Sequence, residues 1–149
     1  MDRIRVTKEF DFEMAHALWN YDGDCKNIHG HSYKLFVTIT GIPNPLENQP
    51  KFGMVIDFKD LKKLVSDLII KKLDHALVVY HKAEGESLSA VRKMYEKVMV
   101  MDFQPTCENL VLFIAGKIKA KLPGNITLHS VKLMETATSF AEWYEEDNK

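Results

Sequence analysis

The sequence predicts an α+β domain built on an antiparallel sheet with helices on one face. Two stretches near the amino end alternate apolar and polar residues with a period of two. Two later stretches space their apolar residues as helices do, and a second alternating pair closes the chain. The expected order is strand-strand, helix, a variable middle, helix, strand-strand. With 149 residues, 46% of them hydrophobic, there is material for a real core, and residues 1–149 are read as a single domain.

Residues 4 to 14 place Ile4, Val6, Phe10, Phe12 and Met14 on one parity and Arg5, Thr7, Glu9, Asp11 and Glu13 on the other, so a half-buried strand is expected to end near His16. The same period returns from His31 to Thr40, and Gly41-Ile-Pro-Asn-Pro stops that strand. Asp57 is the expected N-cap of a helix carrying Leu61, Leu64, Val65, Leu68 and Leu73 inward, which runs out at Leu73-Asp74-His75. A shorter helix is read from Ser87 through Tyr95, followed by a strand over 98–103. Thr106, after Pro105, caps a helix through Leu110, Phe113, Ile114 and Ile118, and Pro123-Gly124-Asn125 makes the turn that follows. Strands resume from Ile126 to Glu135 and around Phe140 to Glu145.

Charge narrows the partners. With 20 basic against 21 acidic residues the formal net charge is −1, so there is no electrostatic footprint for nucleic acid or for an anionic membrane. A small molecule or another protein is the expected partner. The amino end lacks the apolar segment of a signal peptide, and no run approaches the roughly 18 apolar residues of a membrane span. A cytoplasmic location is expected, with Cys25 and Cys107 as reduced thiols.

The chemistry concentrates between residues 16 and 31, where His16, Cys25, His29 and His31 hold three of the six histidines and one of the two cysteines. Residues two apart on a strand point the same way, so His29 and His31 project together across Gly30, whose lack of a side chain permits close backbone approach. His16 reaches the same spot if the two strands pair as a hairpin. Three histidines with an open position are the pattern of a catalytic zinc. Two readings of Cys25 stay open: a fourth ligand closing a structural site, or a thiol activated by the metal and Lys26 as base or nucleophile.

Asp74-His75 is a second constellation, since an adjacent carboxylate can fix the tautomer of an imidazole and raise its pKa. Glu135 continues the parity of Val131 and Leu133. An inward carboxylate there would suit a planar ligand with neighbouring N–H donors. Cys107, His81 and His129 are read as packing or surface residues.

Six blocks now appear in order: Phe12-Glu-Met-Ala-His16, Cys25-Lys-Asn-Ile-His29-Gly-His31-Ser-Tyr33, Val55-Ile-Asp57-Phe58, Leu73-Asp74-His75, Pro105-Thr106-Cys107-Glu108-Asn109 and Glu135-Thr136. Together they resemble the 6-pyruvoyltetrahydropterin and 6-carboxytetrahydropterin synthase family across nearly the whole chain. The resemblance implies the tunnelling fold, in which subunits join their sheets into a barrel as a trimer or hexamer with active sites between subunits. It implies Zn2+ on His16, His29 and His31, Cys25 as the proton-abstracting group, and Asp74 and His75 as its acid/base partners. Glu135 would anchor the pterin ring, with Thr106 and Glu108 assisting. Three residues separate Cys25 from His29, as in bacterial queuosine-pathway carboxy enzymes; the tetrahydrobiopterin-pathway synthases usually have a longer gap. The carboxy product, with release of acetaldehyde and triphosphate from 7,8-dihydroneopterin triphosphate, is therefore expected. The alternatives are the pyruvoyl product and a non-catalytic zinc-stabilised module. The stretch from Val78 to Gln104 is longer than in compact members of the family.

Overall fold

The computed structural model describes residues 1–83 and 85–149. Strands β1 (Ile4–His16) and β2 (His29–Gly41) form a long antiparallel hairpin that pairs Phe12 with Tyr33, Met14 with His31 and His16 with His29. Because both strands alternate without interruption, every even residue of β1 and every odd residue of β2 falls on one face. Phe12, Met14, Tyr33, Leu35, Val37 and Ile39 are accordingly buried there.

A helix then covers that face. Asp57 caps it, its carboxylate accepting from the Lys59 N–H at 2.9 Å, and α1 (Phe58–Val65) leads through a π-helical turn at Ser66–Ile70 into α2 (Lys71–Leu73). The wider turn lets Leu61, Val65, Ile69 and Leu73 all stay fully buried. Each such side chain contributes roughly 1.5–3 kcal/mol by leaving water.

The chain next returns to the sheet as β3 (Ala76–Tyr80), parallel to β1, passes through α3 (Glu86–Met94), and adds β4 (Val98–Met101) parallel to β3. Thr106 caps α4 (Cys107–Lys119), which buries Leu110, Val111, Ile114, Ala115 and Ile118. Finally β5 (Thr127–Met134) pairs with β2, and β6 (Phe140–Tyr144) with β5.

The result is a curled six-stranded sheet in the order β4-β3-β1-β2-β5-β6, with the helices on one face. Its antiparallel part, β1, β2, β5 and β6, follows expectation. The sheet is mixed, because β3 and β4 join it in parallel, and β3 had no counterpart in the sequence reading. Its run Ala-Leu-Val-Val-Tyr is apolar throughout, as suits a strand with only Leu77 and Tyr80 half-exposed. No helix among the described residues is long and apolar enough to cross a membrane.

Candidate metal centre and active-site cleft

The loop end of the β1–β2 hairpin places His16, His29 and His31 on the buried face, close together. Ring centroids of His16 lie 4.5 Å from His29 and 5.2 Å from His31, and those of His29 and His31 are 5.0 Å apart. His16 is 2% exposed. Its Nδ1 lies 2.7 Å from the Pro105 carbonyl oxygen, and the Nδ1 of His29 lies 2.8 Å from that of Asn27. A carbonyl can only accept, so both Nδ1 atoms carry the proton and both Nε2 atoms present a lone pair.

All three Nε2 atoms are buried without a hydrogen-bond partner. Orphaned acceptors of this kind are costly unless a ligand answers them. They lie within 4.8 Å of one another, near the separation of about 3.3 Å between nitrogens that share a tetrahedral zinc. Burial also holds the pKa of His16 below its ordinary value, against the opposing pull of the Pro105 carbonyl, which favours the neutral ligand form. The three histidines therefore fit a divalent metal of zinc's type. Among the described residues Cys25 is not part of this group.

Cys25 stands instead on the loop between the two strands, exposed within a short 3-10 turn at Asp24–Lys26. It faces a cleft of about 300 Å3, a volume at the lower end of small-ligand sites. His16, His29, Thr106, Glu108 and Glu135 line the same cleft. The sequence-predicted thiol and binding residues thus meet two of the three predicted metal residues here, while His31 lines the wall of the recess that also holds His75. Leu18, Tyr21 and Ser139 join the cleft without having been singled out. Glu135 follows β5 and places a carboxylate oxygen 3.6 Å from His31 Nε2, with its side chain 25% exposed. Thr106 has a structural task besides: its Oγ1 accepts from the Asn109 N–H at 3.2 Å as the cap of α4.

Cys107, read as a packing residue, is half-buried, with its thiol 3.3 Å from the Leu133 carbonyl oxygen. It nevertheless reaches the cleft wall. Burial, and then the charge of Glu135, push its pKa up to about 11. His81 and His129 meet the rings of Tyr80 and Tyr144 edge-on, as expected of surface or packing residues. Gly30 does not need to be glycine for close packing, since a Cβ there would meet the Met14 carbonyl at an ordinary 3.5 Å.

Asp74 and His75 are not brought to this cleft. His75 donates its backbone N–H to the Glu13 carbonyl at 2.6 Å, and Asp74 Oδ1 accepts from the Glu13 N–H at 2.9 Å. Both contacts are to the backbone of Glu13, so this pair sits at the edge of β1 where β3 begins to run beside it. His75, at φ 62, has a side chain 77% exposed and lines a separate recess of about 760 Å3 with Glu13, Ser32 and Lys97. That recess and the thiol's cleft share no lining residue. Within the recess the dyad itself is formed, with His75 Nδ1 3.1 Å from Asp74 Oδ1. The Glu13 N–H, followed by His75, holds the Asp74 carboxyl below its ordinary range, so it is ionised at neutral pH.

Comparison with known proteins gives the family and the fold. Residues 5–146 match the family model for 6-pyruvoyl tetrahydropterin synthase. A 6-carboxy-5,6,7,8-tetrahydropterin synthase from Haemophilus influenzae is 39% identical over 144 residues, covering 95% of this chain and 99% of its own. Among solved structures, an uncharacterised protein from Wolinella succinogenes superposes with a TM-score of 0.76 at 23% identity, covering 97% of this chain and 99% of its own. The 6-pyruvoyl tetrahydropterin synthase of Caenorhabditis elegans does so with 0.68 at 24%, covering 97% and 96%. Both likenesses establish the tunnelling fold.

Proposed function

The chain belongs to the 6-pyruvoyl tetrahydropterin synthase family, an enzyme family of lyases, and we propose that it is the carboxy-type member. It would convert 7,8-dihydroneopterin triphosphate and one water to 6-carboxytetrahydropterin, acetaldehyde and triphosphate on the route to queuosine. The observation that carries this reading is the opening of Cys25, His16, His29 and Glu135 onto one cleft, with His31 completing the imidazole cluster beside it. The short spacing from Cys25 to His29 and the name of the 39%-identical relative favour the carboxy product over the pyruvoyl one.

In this reading His16, His29 and His31 hold Zn2+, and the metal, when bound, acts as a Lewis acid that acidifies the substrate's side-chain hydroxyls and adjacent C–H bonds. Pro105 and Asn27 fix the two imidazole tautomers and so keep the Nε2 atoms aimed. Glu135 orients the pterin by accepting two neighbouring ring N–H bonds, and Thr106 and Glu108 border the bound ring. Cys25, standing over the cleft, removes the side-chain proton as thiolate. Held at contact distance, the thiol gains the rate advantage of an intramolecular base.

His75, oriented by Asp74, delivers a proton to an active site of a neighbouring copy. Its exposed ring supports that assignment, as does the absence of a shared lining residue between its recess and the Cys25 cleft. The same reading takes the free edges β4 and β6 as the seams at which sheets of three copies close a barrel, two such rings stacking into a hexamer.

The test is direct. Metal-loaded protein given 7,8-dihydroneopterin triphosphate should yield 6-carboxytetrahydropterin and acetaldehyde. A 6-pyruvoyl product would move the chain to the other branch, and no pterin product would overturn the assignment.

A further inference from the structure

We propose that the long stretch from Tyr80 to Gln104 serves catalysis by bracing the Cys25 loop, with Trp19 as the anchor and Gln104 as the positioning residue. This rests on the reading of Cys25 as the reacting thiol. Residues 17–28 join two strands without pairing to either, and their one regular feature is the turn at Asp24–Lys26. A loop so built holds a side chain in place only if something outside it does the holding.

Gln104 is that support. Its Nε2 donates to the Trp19 carbonyl at 2.8 Å, and its Oε1 accepts from the Trp19 N–H at 3.0 Å. The two bonds reproduce a bridge between strands with a side-chain amide. One residue before Trp19, the Leu18 N–H donates to the Cys25 carbonyl at 2.9 Å, so the clamp reaches the thiol's own backbone through a single hydrogen bond. The Trp19 ring is held too, edge-on to Tyr80 at 5.8 Å, with the Lys82 ammonium 5.8 Å from its centroid.

Gln104 is itself fixed. Its carbonyl accepts from Asn109 Nδ2 at 3.0 Å and from the Thr106 N–H at 2.8 Å, tying it to the start of α4. The next residue, Pro105, holds His16. Adjacent residues of one rigid segment therefore place the thiol loop and an imidazole of the metal cluster, which sets the distance between them.

The experiment uses a Trp143→Phe background, which leaves Trp19 as the sole tryptophan of the chain's two. Gln104→Met keeps the shape and removes both amide bonds; Gln104→Glu keeps the acceptor and loses the donor. Gln104→Met should bind metal as the parent does and keep KM for dihydroneopterin triphosphate within about twofold. Its kcat should fall at least about tenfold, and Trp19 emission should shift to longer wavelength with faster acrylamide quenching. Gln104→Glu should fall between the two, and it decides the matter should Gln104→Met not fold. Parental kcat and parental Trp19 emission in the folded variant overturn the brace. A matching Cys25→Ala protein separates the premises: if it still turns over, the thiol's role fails whatever Gln104 does. If it is dead while Gln104→Met is normal, only the brace fails.

Discussion

Zinc added to the metal-free protein is expected to raise its melting temperature by about 5–10 °C, and His29→Ala should erase that shift. The apoprotein buries three unpartnered Nε2 atoms within 4.8 Å of one another, a desolvation cost that a bound cation removes. A cation present at about a hundred times its dissociation constant stabilises the folded chain by about 2.7 kcal/mol. For a chain of this size each kcal/mol moves the midpoint by about 2–4 °C, which gives the range. His29 is only half-buried, and its loss from the metal-free protein removes one hydrogen bond to Asn27, worth about 1 kcal/mol. The variant should therefore start close to the parent and gain little from zinc. Calorimetry of chelator-treated parent and variant, with and without zinc, measures both quantities. A parent unmoved by zinc, or a variant that keeps the full shift, would refute the reasoning.

Two further outcomes follow from single side chains. Because the pKa of Cys107 is raised to about 11, the folded state retains this proton across the interval in which an unfolded cysteine has lost it. The thiol's stabilising share is thus complete near neutrality and declines as pH climbs toward 11. Iodoacetamide at pH 8 should accordingly label exposed Cys25 well before Cys107, which peptide mass spectrometry will show; equal labelling contradicts the burial argument. Thr106→Ala should lower stability by about 1 kcal/mol through loss of the α4 cap, while Thr106→Ser keeps it. An unchanged midpoint for Thr106→Ala would mean that another group caps the helix.

Much of this was legible because it is local. Alternation alone located β1 and β2, and their parity put His16, His29 and His31 on one face, so the cluster needed only the hairpin register to close. Asp57 and Thr106 cap the helices they were read to cap. The parallel strand β3 was not legible, because five consecutive apolar residues carry no period and their partner, β1, lies sixty residues earlier. The π-helical turn leaves no mark in helical spacing either. Missing β3 had a consequence for the site. Without it, nothing showed that Asp74-His75 leads into a strand beside β1, bonded to the Glu13 backbone and lining a different recess from Cys25. The carbonyls of Pro105 and Asn27 that aim the imidazoles are backbone groups, which residue type does not encode. Gln104 and Trp19 meet only through tertiary structure.

The proposed function divides labour within the amino-terminal cluster, with histidines for the metal and Cys25 for the proton. Metal content and turnover of the single variant Cys25→Ala test it most directly. One zinc per chain with product formation abolished is the predicted result; loss of the zinc would instead make Cys25 a ligand and contradict the claim.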